Sequence, residues 1–282
     1  MREGRPSRTA QRVAERRAAH QLFDRPLVFE DPLAIRIIGS EAAAGLPGSR
    51  AASNSPPMGG LRAFVAVRSR FAEDELARAV ARGIRQYVVL GAGLDTFAYR
   101  NPHADLRVFE VDHPATQEWK RGRLKAAGIA TPDSVTYVSV DFEHQIFAEE
   151  LARAGFAPGQ PAFFSWLGVV PYLNRETVFA TLETIATMCP GNGVVFDYGV
   201  PRSSASFFER LAYDALARRV AQAGEAFRSF FDPAELAQEL QRIGFWSIED
   251  LGLEEIVSRY FADRSDDLSV RSSMGHLISA SS

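Results

Sequence analysis

A single cysteine, Cys189, stands in the 282 residues, so no disulfide can close within the chain, and this usage suits a reducing cytoplasm. No stretch comes near the roughly 18 uninterrupted apolar residues of a membrane span. Arginines crowd the start (Arg2, Arg5, Arg8, Arg12, Arg16, Arg17) with no apolar run behind them, so a secretory signal is not expected. The net charge of −3 offers no global attraction to nucleic acid or to an anionic membrane. Five histidines, His20, His103, His113, His144 and His276, are scattered without ligand spacing, so no metal site is expected. A Gly-Lys-Ser/Thr loop for a triphosphate is missing as well, and no segment repeats.

The chain does have 46% apolar residues, enough for one large core or a core plus a small cap. Its most telling run is Gln86-Tyr87-Val88-Val89-Leu90-Gly91-Ala92-Gly93-Leu94-Asp95-Thr96. An apolar β-type segment enters two glycines, as it must where a backbone turns tightly and lies close to a ligand. A second apolar segment, Leu106 to Asp112, follows and ends in acids. The pair reads as the opening β-α-β of a nucleotide-type site, with Asp112 placed to accept from a ribose and Glu110 on the same strand face. Asp112 could instead cap the next helix, and Glu110 could share the ribose role or pair with a cation.

The turn also restricts the ligand. A dinucleotide fingerprint wants a third small residue where Thr96 stands, and Asp95 before it would repel a pyrophosphate. A ribose-bearing ligand with cationic groups and no phosphate, such as S-adenosylmethionine, suits these residues better.

From residue 86 the chain alternates strand and helix. Strands are predicted at 86–91, 106–112, 134–140, 161–167 and 192–198, with helices at 113–127, 144–154 and 174–188. Phe245 to Leu251 and Met274 to Ala280 read as closing strands. The expected fold is α/β and Rossmann-like: a seven-stranded, mostly parallel sheet with helices on both faces. Ahead of it lies a helical N-terminal region, residues 1–70, and the remainder, 71–282, forms the sheet domain. Within that region Thr9 to Leu22 is helical, with its arginines on a solvated face. Asp31-Pro32 opens a short helix stopped by Gly39, residues 40 to 60 are a loop, and Arg62 to Arg82 is helical. Residues 200 to 231 hold no strand but a helical, aromatic run above the crevice. It is either a lid over an apolar substrate or a packed cap.

Together these segments resemble the leucine carboxyl methyltransferase family, class I S-adenosylmethionine-dependent enzymes, in its bacterial small-molecule branch. The matching blocks are Thr9-Ala10 with Arg17-Ala18, Phe29-Glu30-Asp31-Pro32-Leu33-Ala34, Arg68-Ser69-Arg70-Phe71, Leu90 to Thr96, Phe109 to Pro114 with Lys120, and Gly168 to Leu173. The resemblance implies that Arg68 holds the methionyl carboxylate of the cofactor, a task suited to guanidinium. It also implies that Gly91 and Gly93 form the cofactor turn, that Asp112 binds the ribose, and that Asp141-Phe142 meets the adenine. Read alone, Arg68 and Arg70 could be surface arginines and Asp141 a turn residue. One departure stands out: where the family often places a glutamate after the fourth strand, this chain has Leu167.

The expected activity is O-methylation of a carboxylate or hydroxyl on a small, largely apolar molecule, with no nucleic-acid or membrane partner and a homo-oligomer left open. A protein C-terminal carboxylate, a nicotinamide-dependent oxidation and a non-catalytic cofactor-binding role are the alternatives. No catalytic base is singled out; the histidines, Tyr198 or a carboxylate could serve a phenol or enol acceptor.

Overall fold

Gln86–Leu90 forms β1, buried throughout, and it lies in the interior of a seven-stranded sheet. The structure, a computed structural model, describes residues 8–50, 55–141, 145–204, 206–222 and 226–282. β2 (Arg107–Asp112), β3 (Val135–Ser139), β4 (Ala162–Trp166), β5 (Gly193–Gly199), β6 (Ser247–Leu251) and β7 (Gly275–Ser281) complete the sheet in the order β3-β2-β1-β4-β5-β7-β6. The first five strands are parallel, and β7 runs antiparallel between β5 and β6. Burial on both faces explains the near-continuous apolar runs of β1, β4 and β5. Alternate residues feed two cores: Val88, Leu90, Phe109, Phe164 and Phe196 on one side, Tyr87, Val89, Val108, Phe163 and Val195 on the other.

The helices are α1 (Arg8–Phe23), α2 (Ala34–Ile37), α3 (Ser40–Gly45), α4 (Pro56–Ala81), α5 (Pro114–Ala126), α6 (Phe147–Arg153), α7 (Arg175–Met188), α8 (Phe207–Gln222), α9 (Pro233–Ile243) and α10 (Leu253–Tyr260). α7 buries Val178, Leu182 and Ile185 at helical spacing against the first core. α4 supplies Ala63, Val67, Phe71 and Leu76 to the second. It runs unbroken through residue 70, where the sheet domain was expected to begin. α9 opens as its Asp-Pro start foretells: Asp232 accepts from the backbone N–H of Ala234 and Glu235, and Gly244 closes it at φ 117°.

Four expectations are corrected. The helix expected between β1 and β2 is a single 3-10 turn, Phe97–Tyr99, because Asn101-Pro102 cuts it short and Asp95 spends its side chain capping Phe97 N–H. Asp31 does not cap α2, whose first residue is Ala34; one Asp31 oxygen accepts from Leu33 N–H, and the other takes the Thr96 hydroxyl at 2.7 Å. The stretch from 40 to 60 is not all loop, since it contains α3, a 3-10 turn at Pro47–Ser49 and the start of α4. Arg17 is not on a solvated face: it is buried, lies 2.6 Å from Asp31 and donates to the Leu94 carbonyl at 2.5 Å.

That last pair fastens α1 across the glycine turn. A second buried polar group secures the same helix. His20 Nε2 accepts from the backbone N–H of Val28 and Phe29, so its proton resides on Nδ1 and is donated to Asp24 at 2.7 Å. Arg62 forks onto both Asp24 oxygens at 2.8 Å. Burial opposes the Asp24 charge, yet the His20 and Arg62 bonds outweigh it and hold the carboxyl below its ordinary range.

Candidate active site

The strand order reverses between β1 and β4, which opens a crevice at the carboxyl ends of the strands. Most of the sequence-predicted site residues line that edge in sheet order. Asp141 follows the end of β3, Asp112 ends β2, and Gly91 and Gly93 follow β1. Gly168 follows β4, and Arg68 reaches in from α4 to Asp197 on β5. Phe142 lies outside the described residues.

Gly91 and Gly93 adopt φ values of 70° and 45°, which side-chain-bearing residues avoid. A Cβ on Gly91 would lie 2.5 Å from Val169 Cγ2, and one on Gly93 3.2 Å from Ala10 Cβ. The turn is therefore enclosed by the β4 loop on one side and α1 on the other. Asp112 shapes it: one carboxylate oxygen accepts from Gly93 N–H at 2.6 Å, the other from His113 N–H at 2.7 Å. The following helix is capped by the His113 ring rather than by Asp112, with Ala115 N–H donating to Nδ1. Burial pushes the Asp112 carboxyl up, against the pull of its two backbone donors. A carboxylate has about four acceptor positions, so two remain for hydroxyls.

Glu110 is otherwise engaged. Lys120 Nζ bonds one of its oxygens at 2.8 Å and Tyr99 OH the other at 3.0 Å, with both members of the ion pair almost wholly buried. Burial raises its carboxyl, and Lys120 works against that. Of the two roles open to Glu110 in the sequence, the structure displays the cation pairing.

Arg68 is buried beside Gly168. Its Nη1 lies 3.1 Å from Asp197 Oδ2, while Asp197 Oδ1 accepts from Gly168 N–H at 2.5 Å. Arg70, by contrast, pairs with Asp74 on a half-exposed face. Leu167 packs against the α4-side core and brings no charge. Sequence reasoning missed Asp197, although an acid inside the apolar run Val194-Val195-Phe196-Asp197-Tyr198 is the kind of signal that marks a buried partner. It also missed Arg16, whose guanidinium is held below its ordinary pKa by burial first and by Arg12 next, with Tyr172 and Arg68 near enough to act on its charge.

The aromatic insertion docks beside this end of the crevice. Tyr172 stacks on Phe227 at 5.3 Å, Phe227 on Tyr213 of α8 at 5.5 Å, and Phe230 meets Tyr213 edge-on at 5.9 Å. Arg228 N–H donates to the Pro171 carbonyl at 2.7 Å, and the Ser229 hydroxyl donates to the Val170 carbonyl at 2.9 Å. Glu209 fixes the start of α8, accepting from both the backbone N–H and the hydroxyl of Ser273 and from Ser206 N–H. Burial opposes the Glu209 charge, but the Ser206 and Ser273 donors together outweigh it and hold its pKa at about 2. A carboxyl depressed on folding stabilises above its unfolded pKa and loses that contribution as pH falls through the folded one. Protection against hydrogen exchange over α8, corrected for the intrinsic rate, is therefore expected to fall between about pH 4.5 and 2, and to lose that dependence in Glu209→Gln. An unaltered profile in the variant would contradict the assignment.

Tyr198, named above as a possible base, donates to Asp250 at 2.5 Å with His276 Nδ1 3.3 Å away. Burial and Asp250 push its hydroxyl pKa up, which suits a donor and not a base.

The sheet order, the enclosed glycine turn and the acid closing β2 define a class I S-adenosylmethionine-dependent methyltransferase. Residues 10–186 match the leucine carboxyl methyltransferase family model, and the chain belongs to that family. YktD of Bacillus subtilis, named as an S-adenosyl-L-methionine-dependent methyltransferase, is 30% identical over 95% of this chain and 96% of its own length. Two solved structures share the fold. A DUF574-family protein of Streptomyces avermitilis has a TM-score of 0.59 at 16% identity, covering 95% of this chain and 97% of its own. A Thermobifida fusca protein named as a methyltransferase has a TM-score of 0.55 at 19% identity, covering 88% and 93%. No helix among the described residues is long and apolar enough to cross a membrane.

Proposed function

We propose that this methyltransferase esterifies the carboxylate of a small, largely apolar acid. The observation that carries the reading is the Tyr172–Phe227–Tyr213 ring stack beside the loop after β4, with the Arg16 guanidinium near enough to Tyr172 to act on it electrostatically. The rings offer apolar contact, and Arg16, in excess once Arg68 is paired with Asp197, adds positive charge that favours an anionic acceptor over a neutral phenol.

The residues present fit the cofactor. Asp141 would meet the adenine and Asp112 the ribose hydroxyls, the side-chain-free turn at Gly91 and Gly93 would admit the backbone-close part of the molecule, and Arg68 would hold the methionyl carboxylate. Glu110, committed to Lys120 and Tyr99, would be left out of the ligand contacts. When bound, the sulfonium supplies an already activated methyl group. The chain's own part is alignment and exclusion of water, because a carboxylate is ionised at neutral pH and needs no base. This accords with the donor role of Tyr198. The pyrophosphate of a nicotinamide coenzyme would find no α-helix N-terminus after β1 and would face Asp95.

Incubating the full chain with methyl-labelled S-adenosylmethionine and a panel of aromatic and aliphatic acids and phenols tests the reading. The expected product is a methyl ester, whose label is released as methanol by mild alkali. Label that survives alkali, or transfer to phenols alone, would contradict it. In the same assay Phe227→Ala is expected to lose about tenfold or more in transfer, through misplacement of the acceptor. Its affinity for S-adenosylhomocysteine should stay within about twofold, since the ring stack lies beyond the turn. Equal losses of both would make the insertion a structural cap instead of a lid.

A further inference from the structure

Asp197 is 5% exposed, and two groups bond its carboxylate: the Arg68 guanidinium and the Gly168 N–H. Its position follows from the sheet. Trp166 pairs with Phe196, so Asp197 lies one step past the last paired residue of β4, level with the loop that begins at Leu167. Gly168 has φ 68°, and a Cβ there would lie 2.8 Å from both terminal nitrogens of Arg68. The glycine lets the guanidinium lie flat against the loop, with Asp197 on its flank. Next along the loop, Val169 closes over Gly91, so the Arg68–Asp197 pair adjoins the glycine turn directly.

A methionyl tail carries a carboxylate and an ammonium on one carbon. A site built only of guanidinium would recognise half of it and leave the ammonium in a buried, positively charged corner, at considerable cost. Arg16 adds to that positive charge, and Leu167 offers no acid. Asp197 uses two of about four acceptor positions on its present partners. We propose that Asp197 receives the α-ammonium of the cofactor, so that Arg68 and Asp197 bind the zwitterion as a complementary pair. The assignment rests on the cofactor reading above. It explains how the site accommodates a leucine where the family often places a glutamate, since the acid is supplied from the neighbouring strand.

The test is calorimetric binding, with no turnover required, of three ligands to the full chain: S-adenosylhomocysteine, its analogue with hydroxyl in place of the ammonium, and 5′-methylthioadenosine, which has no methionyl tail. Wild type is expected to prefer S-adenosylhomocysteine over the hydroxyl analogue about 10- to 100-fold, the usual range for a charge-assisted bond. D197N should lose most of that preference while binding the hydroxyl analogue and 5′-methylthioadenosine within about threefold of wild type. D197E, which keeps the charge, should retain part of the preference. A D197N protein that weakens both tailed ligands equally would make Asp197 only the anchor of Arg68 and overturn the assignment. So would a wild type that does not distinguish them, a result that needs no variant to fold. If wild type binds none of the three, the cofactor reading itself falls.

Discussion

Replacing Lys120 with methionine is expected to cost about 3–5 kcal/mol of folding stability, the usual penalty for stranding one member of a buried ion pair. Glu110 would keep its Tyr99 donor but lose its counter-charge in a site from which water is excluded. Its carboxyl, already raised by burial, would rise further. A carboxyl raised on folding binds its proton more tightly in the native state, so the variant should gain stability as pH falls through that raised pKa and lose it as pH increases. Pairing Lys120→Met with Glu110→Gln should recover most of the loss, because no charge is then left alone. Denaturant melts from pH 5 to 8 of the parent, the single and the double variant check this. A single variant as stable as the parent, or a double variant no better than the single, would contradict the buried-pair account.

Asp112→Ala is expected to weaken S-adenosylhomocysteine by about 1–3 kcal/mol, or roughly tenfold to a hundredfold. The substitution removes the acceptor for ribose hydroxyls and also frees Gly93 N–H and His113 N–H, so the turn itself should slacken. The two effects separate by chemistry. Asp112→Asn keeps an acceptor oxygen and should retain more of the melting temperature than of the affinity. Because burial raises the Asp112 carboxyl, parent affinity should decline with falling pH earlier than an ordinary aspartate would dictate, and Asp112→Asn should abolish that decline. Affinity unchanged in Asp112→Ala would move the ribose contact elsewhere on the edge.

Gly91, Gly93 and the acid ending β2 were legible because each answers a local demand: positive φ for the glycines, a strand terminus for the acid. Strand positions were legible for the same reason, since burial on both faces leaves little choice of residue. The fate of Glu110 depended on Lys120, one helix away, and strand periodicity alone left its two roles open. Arg17 looked like part of a solvated arginine face, because its partners, Asp31 and the Leu94 carbonyl, come from segments that meet only in the folded chain. The 3-10 turn after β1 was hidden by the expectation of a regular β-α-β, although Asn101-Pro102 carries the signal to stop. Asp197 had a visible signal, charge inside an apolar strand, but only the side-by-side placement of β4 and β5 gives it a partner.

The account depends on one thing above all, that the edge from Asp141 to Arg68 holds S-adenosylmethionine. Titration calorimetry of the full chain with S-adenosylhomocysteine tests this most directly. Saturable one-to-one binding, abolished or greatly weakened in Arg68→Ala, is the predicted result. No heat with that ligand, together with saturable binding of NAD or NADP, would contradict it.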